Sequence, residues 1–402
     1  MSVTNFKEQF ADRYQDTFHK ALVARLFANY RLEPQLRQGD TVHRFAVDMS
    51  SVQVRTITPL TDRTVDAIAN TDETLVIDQY KGTTFPVSEW EDTLHGNPDL
   101  GMLYGKEAGI LVAEYVDATI LNQVTAATYD FDAGDLTTAT STGTPIDTGT
   151  SANIPLMVTR AKAKLQSRNK VRGGNRVWIV DDYTLANMTQ NVIARDTQMG
   201  DNFYKNGFSG EILGASVLVS DNLTGEAVLS MATQVTANDT VTINDVTWTF
   251  VASPSSAGDV DIGSDVDATR LNLSYAINGT GTAGTDYIVL SSADQAVIDA
   301  LRITATDSAS ANTLTIVAIG SGRLVLSETL TDGTDAWSKN MVHCIYGQKG
   351  AIDVVMKKEV KMKIREEAKQ DTVNIFNDAI FGVKTFADGK KKMLDVLVNA
   401  NT

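Results

Sequence analysis

The stretch NPDLGMLYGKEAGILVAEYVDATILNQVTA, residues 97–126, reads as one long helix. Asn97 suits the N-cap, where its side chain accepts from an orphan backbone N–H. Pro98 suits the first helical position, where its missing N–H costs nothing. Leu100, Leu103, Tyr104, Leu111, Val112, Tyr115, Ala118 and Leu121 recur at helical spacing. Glu107, Glu114 and Asp117 exclude a lipid-facing helix. At about 1.5 Å per residue the helix would run roughly 40 Å. That length suits an elongated or plate-like subunit, although a long core helix in an ordinary domain is the plainer reading.

Upstream, Phe6, Phe10, Tyr14, Phe18, Leu22 and Leu26 follow i, i+4 spacing, which predicts an amphipathic helix over residues 5–28. It either packs on its own core or forms an arm docked on a neighbour. VHRFAVDMSSVQVRTITP and ETLVIDQYKGTTFPVSEWED alternate apolar and polar residues and read as strands. Lys81-Gly82 fits a turn or kink between strands. The two ribbons, joined by the polar stretch 62–72, make a long β-arm.

Downstream, residues 128–153 are rich in Thr, Asp and Gly and read as loop or short hairpin. Asp130, Asp132 and Asp135 lie close together, but without the order of an EF-hand calcium loop. IPLMVTRAKAKLQSRN is helical, with Leu156, Val158, Ala161 and Leu165 on one side. Arg172 and Arg176 belong to a basic turn, VWIV (177–180) is a buried strand, and Asp181-Asp182 can cap the helix that follows. Another strand runs over 215–220. Residues 225–337 have a different texture, dominated by Thr, Ser, Ala, Gly and Asp. VTINDVTWTFV predicts a hairpin around Asn244-Asp245, and DATRLNLSYAIN (267–278) a short helix. YIVLSS, LRITATDS, TLTIVAIG and RLVLSETL read as strands or strand ends. This segment reads as a self-contained β-rich module inserted into a host domain. The host resumes with strands over MVHCIYGQKGAIDVVMKK and KEVKMKIREE, the second one-sided, with Val360, Met362 and Ile364 between its charges. Residues 371–381 read as a short helix or loop, and the chain closes with a hairpin around Asp388-Gly389.

The chain has 402 residues, which suits two or three domains. A hydrophobic content of 43% supplies ample core, and no run of 18 apolar residues predicts a membrane span. The N-terminus has no apolar signal region. A single cysteine, Cys344, allows no intrachain disulfide and points to synthesis in a reducing cytoplasm. Net charge is −15, and residues 225–337 carry 14 Asp/Glu against 3 Arg and no Lys, or −11, which leaves −4 for the rest. Such a segment repels phosphates, and a solvated surface is its simplest reading.

Nothing marks a catalytic centre. His19, His43, His95 and His343 stand far apart, and no HExxH or GxSxG is present. His343 and Cys344 are adjacent on a strand and point to opposite faces, a poor nucleophile–base pair. The expectation is a non-enzyme with no cofactor and no metal.

Taken in order, these pieces resemble the major capsid proteins of tailed double-stranded DNA phages, the Hong Kong 97-like fold. The D-x-x-I-L ending at Asp117, Ile120 and Leu121 is similar to the end of the family's spine helix. The phrase G-x-x-x-G-x-x-V-x-x-S at Gly210, Gly214, Val217 and Ser220 is similar to its axial domain. The resemblance implies an α+β chain laid out as follows: N-arm over 1–40, E-loop over 41–95, and a peripheral domain over 96–153 and 345–402 with spine helix 98–126. The axial domain would cover 154–224 and 338–350, and an inserted accessory domain 225–337. It implies a structural protein of the virion, assembled in the host cytoplasm as pentamers and hexamers of a shell that encloses DNA without sequence-specific binding. Phe6, Phe10, Tyr14, Phe18, Lys81, Trp90, Arg172 and Arg176 are the candidate interface residues. No long segment precedes the arm, so a separate scaffolding protein is implied, with a portal protein and a decoration protein as further partners and no membrane. The competing readings are an encapsulin-like compartment shell, a tail or decoration protein, and a hydrolase.

Overall fold

The computed structural model describes residues 20, 22–32, 39–48, 52–57, 65–66, 68–88, 100–138, 140–168, 171, 173–193, 211–331, 335–367 and 372–400. Phe6, Phe10, Tyr14 and Phe18 lie outside them. Of the helix expected over 5–28, only α1 (Ala24–Phe27) is helical among the described residues, because Leu22 and Val23 ahead of it are not. Ala24 and Phe27 face the core, whereas Leu22 and Leu26 are exposed. β1 (Thr41–Asp48) and β2 (Ala69–Val76) pair antiparallel as a ribbon, with Thr41 opposite Val76 and Asp48 opposite Ala69. The chain then leaves the ribbon. β3 (Gln79–Ser88) belongs to another sheet, so the second expected ribbon is divided between two sheets. Lys81-Gly82 is not a turn: it lies inside β3, opposite Ala379 and Asp378. Glycine stands there because a Cβ would come within 2.4 Å of the Asn377 carbonyl oxygen.

The long helix, α2, spans Leu100–Leu121 and continues as a 3₁₀ turn over Asn122–Ala126, so its α-helical part is shorter than 98–126. Its buried stripe runs through Ala108, Val112, Val116 and Ile120, one residue every four, while Tyr104 and Leu111 are exposed. Then come β4 (Asp130–Phe131), a 3₁₀ turn (Ala133–Leu136), α3 (Asn153–Ser167), β5 (Arg176–Val180), α4 (Asp182–Ile193), β6 (Glu211–Ile212) and β7 (Ala215–Val219). α3 buries Ile154, Met157, Val158, Ala161 and Leu165; Leu156, expected on that face, is exposed. Every residue of β5 is buried, Arg176 together with the apolar run 177–180.

The insertion opens with β8 (Thr224–Ser230). The hairpin of β9 (Thr240–Ile243) and β10 (Val246–Val251) turns at Asn244 and Asp245, both at positive φ (45° and 70°), the conformation a type I′ turn demands. β11 (Asp259–Asp261) follows. α5 (Val266–Asn278) is capped by Asp265, whose side chain accepts from the Ala268 N–H, and it ends at Gly279 in the left-handed region. YIVLSS is not a strand. Tyr287 makes only isolated bridges, and Ser291 caps α6 (Ser292–Leu301). β12 (Ile303–Ser308), β13 (Thr313–Ile319) and β14 (Leu326–Glu328) complete the segment. It has its own core, built on Trp248, Phe250, Leu273, Leu314 and Ile316. It is nevertheless continuous with the host sheet, because β8 pairs β13 on one side and the host strand β15 (Ala336–Gln348) on the other.

β16 (Asp353–Glu367) and β17 (Thr372–Lys384) form a long antiparallel pair. The helix or loop expected over 371–381 is therefore a strand, in which Asn377 is buried and donates to the Gly105 carbonyl of α2 at 3.0 Å. No hairpin closes at Asp388-Gly389. A short helix, α7 (Ala387–Lys392), carries the chain away from β17, and β18 (Met393–Asn399) pairs β15 and β4 instead. The returning strands thus divide: β16, β17 and β3 form the three-stranded sheet under α2, while β18 joins the large sheet β12-β13-β8-β15-β5-β7-β6. A four-stranded sheet, β11-β10-β9-β14, lies wholly within the insertion. The main core packs α2, α3 and α4 against the large sheet around Trp178 and Tyr346, whose rings lie 4.3 Å apart.

Candidate assembly surfaces

The β1–β2 ribbon is locked at its root and bare towards its tip. At the root Val42, Leu75, Val355 and Phe386 form a small buried cluster. Arg44 lies 5.0 Å above the Phe386 ring and donates to Asp388 at 2.8 Å. Glu73 accepts from the Ala387 N–H at the start of α7 at 3.0 Å. Asp353, 3.5 Å from Arg44, is buried, and that burial pushes its carboxyl above the usual range. Outward from this root the apolar side chains of the described residues are exposed. Phe45 is 75% exposed and Val65 91%, and Val54, Ile57 and Ile68 are exposed as well. Asp66 orders this part: it accepts from the Gln53 N–H at 3.0 Å and pairs with Arg55 at 2.7 Å, and both lower its pKa. Apolar groups grouped in water on an arm mark a surface that another molecule covers.

A second surface is the outer half of β16, an edge strand. There Lys361, Met362, Lys363, Ile364 and Arg365 are all exposed, so the strand is not one-sided in this half.

Among the expected interface residues, Trp90 and Arg172 lie outside the described residues, as does the N-terminal stripe. Lys81 is exposed on β3, its Nζ 5.5 Å from the centroid of the Tyr115 ring on α2. Arg176 is buried inside the subunit, where its guanidinium faces Tyr346 and the Val171 carbonyl, so it presents no surface to a neighbour. The ribbon residues Phe45, Val54, Ile57, Val65 and Ile68 were not singled out in the sequence. Phe45 left a signal in the alternation of VHRFAVDM, which sets it and Val42 on opposite faces.

The remaining polar clusters have structural partners. His343, on β15, lies 2.8 Å from Asp395 on β18 and 3.4 Å from Glu226 on β8. Burial alone would lower its pKa, but the two carboxylates outweigh that and raise it to about 10. Cys344 is buried, and burial pushes its thiol well above the ordinary value. Asp132 caps the 3₁₀ turn and accepts from the Gly134 N–H at 3.0 Å, and Asp135 pairs with Lys164 at 2.6 Å. No group of three or more His, Cys, Asp or Glu fit to hold a metal occurs among the described residues, and no described helix is long and apolar enough to cross a membrane.

The three arginines of the insertion have distinct places. Arg270 is buried and tied to Asp267, Asp307 and the Met231 carbonyl. Arg323 pairs with Asp181 at the head of α4 at 2.6 Å and lies 4.5 Å above the Tyr183 ring. Arg302 reaches α2, donating to the Tyr115 carbonyl and to Thr119 Oγ1, each at 3.2 Å.

No family model matches the sequence, and no curated protein is similar to it. Solved structures are. A structure from Mycobacterium phage Che8 matches with a TM-score of 0.55 at 13% identity, covering 100% of this chain and 99% of that one. The capsid structure of the cyanophage P-SCSP1u matches at 0.52 and 13%, covering 97% and 92%. The asymmetric unit of the bacteriophage PhiM1 mature capsid matches at 0.51 and 11%, covering 98% and 91%. The chain thus has an α+β fold of the Hong Kong 97 capsid kind with an additional β-rich region.

Proposed function

We propose that this chain is the major capsid protein of a tailed double-stranded DNA phage, a subunit that assembles with copies of itself into the icosahedral head shell. One observation carries the reading: the likeness to phage structures, two of them described as capsids, runs over nearly the full length of both chains. The bare ribbon supports it, because a shell subunit needs arms that reach beyond its own core. Contacts of modest strength, repeated around a closed lattice, then sum to a stable assembly.

In this reading the β1–β2 ribbon, with the turn it carries, is the E-loop, and β3 is already part of the peripheral domain with α2, β16 and β17. α2 is the spine helix. The large sheet with α3 and α4 is the axial domain, residues 225–337 are the accessory domain, and the residues before 40 are the N-arm. The subunit forms pentamers and hexamers, assembles in the host cytoplasm on a scaffolding protein and meets a portal at one vertex. It encloses DNA without reading its sequence and performs no catalysis.

Negative-stain electron microscopy of the purified chain, expressed with and without the scaffolding protein, tests this. Closed shells of uniform diameter are expected. A monodisperse monomer under both conditions would refute assembly as the function.

A further inference from the structure

We propose that Arg302 is a positioning residue through which the inserted domain sets the pose of the long helix α2 for shell assembly; the assembly half of this rests on the function proposed above.

Arg302 is the residue after α6, and its φ of 50° places it in the left-handed region. That position at a helix end favours glycine, because a Cβ there crowds the backbone. Arginine stands there in a segment that holds only three arginines and no lysine. Its guanidinium is directed away from the insertion's own core. It spans to α2, where Nη1 donates to the Tyr115 carbonyl and Nη2 to Thr119 Oγ1, with the guanidinium 3.9 Å above the Tyr115 ring.

The place it grips is a weak point of that helix. Thr119 Oγ1 donates back to the Tyr115 carbonyl at 2.7 Å, the i−4 bond that loosens and bends helices. Two residues later the α-helix gives way to the 3₁₀ turn over Asn122–Ala126. A second contact from the insertion falls on the same turn. Gly320 lies so close that a Cβ on it would sit 3.0 Å from Ala118 Cβ, and the Gly320 carbonyl accepts from Lys20 Nζ. Lys20 in turn donates its backbone N–H to Glu114 of α2 at 2.8 Å. The insertion, the N-terminal segment and the helix are therefore joined within about one helical turn of Tyr115. A bidentate, planar donor over an aromatic face fixes direction as well as distance.

The test uses the full chain with three substitutions. Arg302→Gly removes the side chain while suiting the left-handed backbone, so the insertion keeps its fold. Arg302→Gln removes the charge, and Arg302→Lys keeps a donor for the Tyr115 carbonyl. Hydrogen exchange of the soluble subunit is read at residues 111–121 and at β9–β10, and shell diameter is read by electron microscopy. Arg302→Gly and Arg302→Gln are expected to speed exchange over 115–121 about tenfold with β9–β10 unchanged, and to broaden the distribution of diameters. Arg302→Lys is expected to restore much of both. Unchanged exchange in α2 overturns the proposal, and so does loss of protection in both regions, which would make Arg302 a residue of the general fold. Faster exchange with shells of normal size overturns its role in assembly. Because exchange is read on the free subunit, failure of the wild type to form shells would refute the function proposed above without deciding the brace.

Discussion

The ribbon and the insertion are built on opposite plans. The insertion has an interior of its own: its turn sits at Asn244-Asp245, Asp265 and Ser291 cap its helices, and Trp248, Phe250 and Leu273 fill its core, while Arg302 and Arg323 reach out to the host. Its acidic, lysine-free surface faces water. The ribbon is secured at its root, where Arg44, Leu75 and Glu73 meet Phe386 and α7 and Lys384 donates to the Thr74 carbonyl, and it carries Phe45, Val54 and Ile57 outward. One region buries its apolar side chains within the chain, and the other leaves them exposed. The shell subunit proposed above would need both, since it must fold alone and then join a lattice.

The largest effect that sharpens this contrast is expected in the insertion. Trp248→Ala removes a fully buried ring from its core and should cost about 3–5 kcal/mol, read as an early transition in thermal denaturation. The matching change in the ribbon, Val65→Asp with Ile68→Asp, should leave subunit stability within about 0.5 kcal/mol while cutting shell yield on density gradients at least about tenfold, since each lost contact is repeated throughout the lattice. Equal destabilisation by both changes would erase the contrast.

A smaller effect is expected where the ribbon passes into the three-stranded sheet. Gly82→Ala drives a Cβ onto the Asn377 carbonyl and should cost about 1–3 kcal/mol in denaturant unfolding. A test of another kind is the pH dependence of the seam between insertion and host. Folding raises the His343 pKa from 6.5 to about 10, so the folded subunit binds the proton more tightly than the unfolded chain. The stability this gives is fully present below about pH 6.5 and is lost as pH rises through about 10. His343→Gln should flatten the fall in melting temperature over that window. The smallest expectation concerns Cys344, whose buried thiol should resist a disulfide reagent until the subunit is unfolded.

What was legible in the sequence was what local chemistry decides. The Asn244-Asp245 turn, the helix over Val266–Asn278, the helix α3 and the buried strand β5 all follow from residues within a few positions of one another. The misreadings have distant causes. Asp388-Gly389 carries hairpin chemistry, but β18 pairs with β15 and not with β17, so the chain must travel, and it does so as a short helix. Residues 371–381 looked unlike a strand because Asn374, Asn377 and Asp378 interrupt the apolar pattern. Asn377 is buried because the Gly105 carbonyl awaits it, and Asp378 meets Lys358 at 2.6 Å. Helix α6 did leave a local signal, Ser291 three residues ahead of Asp294, which the apolar run before it obscured. Of the surfaces, the ribbon's direction was legible and its covering residues were not, because strand alternation gives two faces without saying which one meets the parent sheet. Arg176 was misjudged for the same kind of reason: its charge suggested a surface, while Tyr346 and the Val171 carbonyl receive it inside.

Limited trypsin digestion of free subunits and of assembled shells tests most directly the claim that neighbours complete the ribbon. Arg55, although paired with Asp66, is exposed in the ribbon, whereas the insertion offers trypsin only Arg270, Arg302 and Arg323, which are buried or half-buried. The account predicts rapid cleavage at Arg55 in the free subunit, protection of that bond in shells, and an intact insertion in both. Cleavage at Arg55 as fast in shells as in free subunits would contradict it.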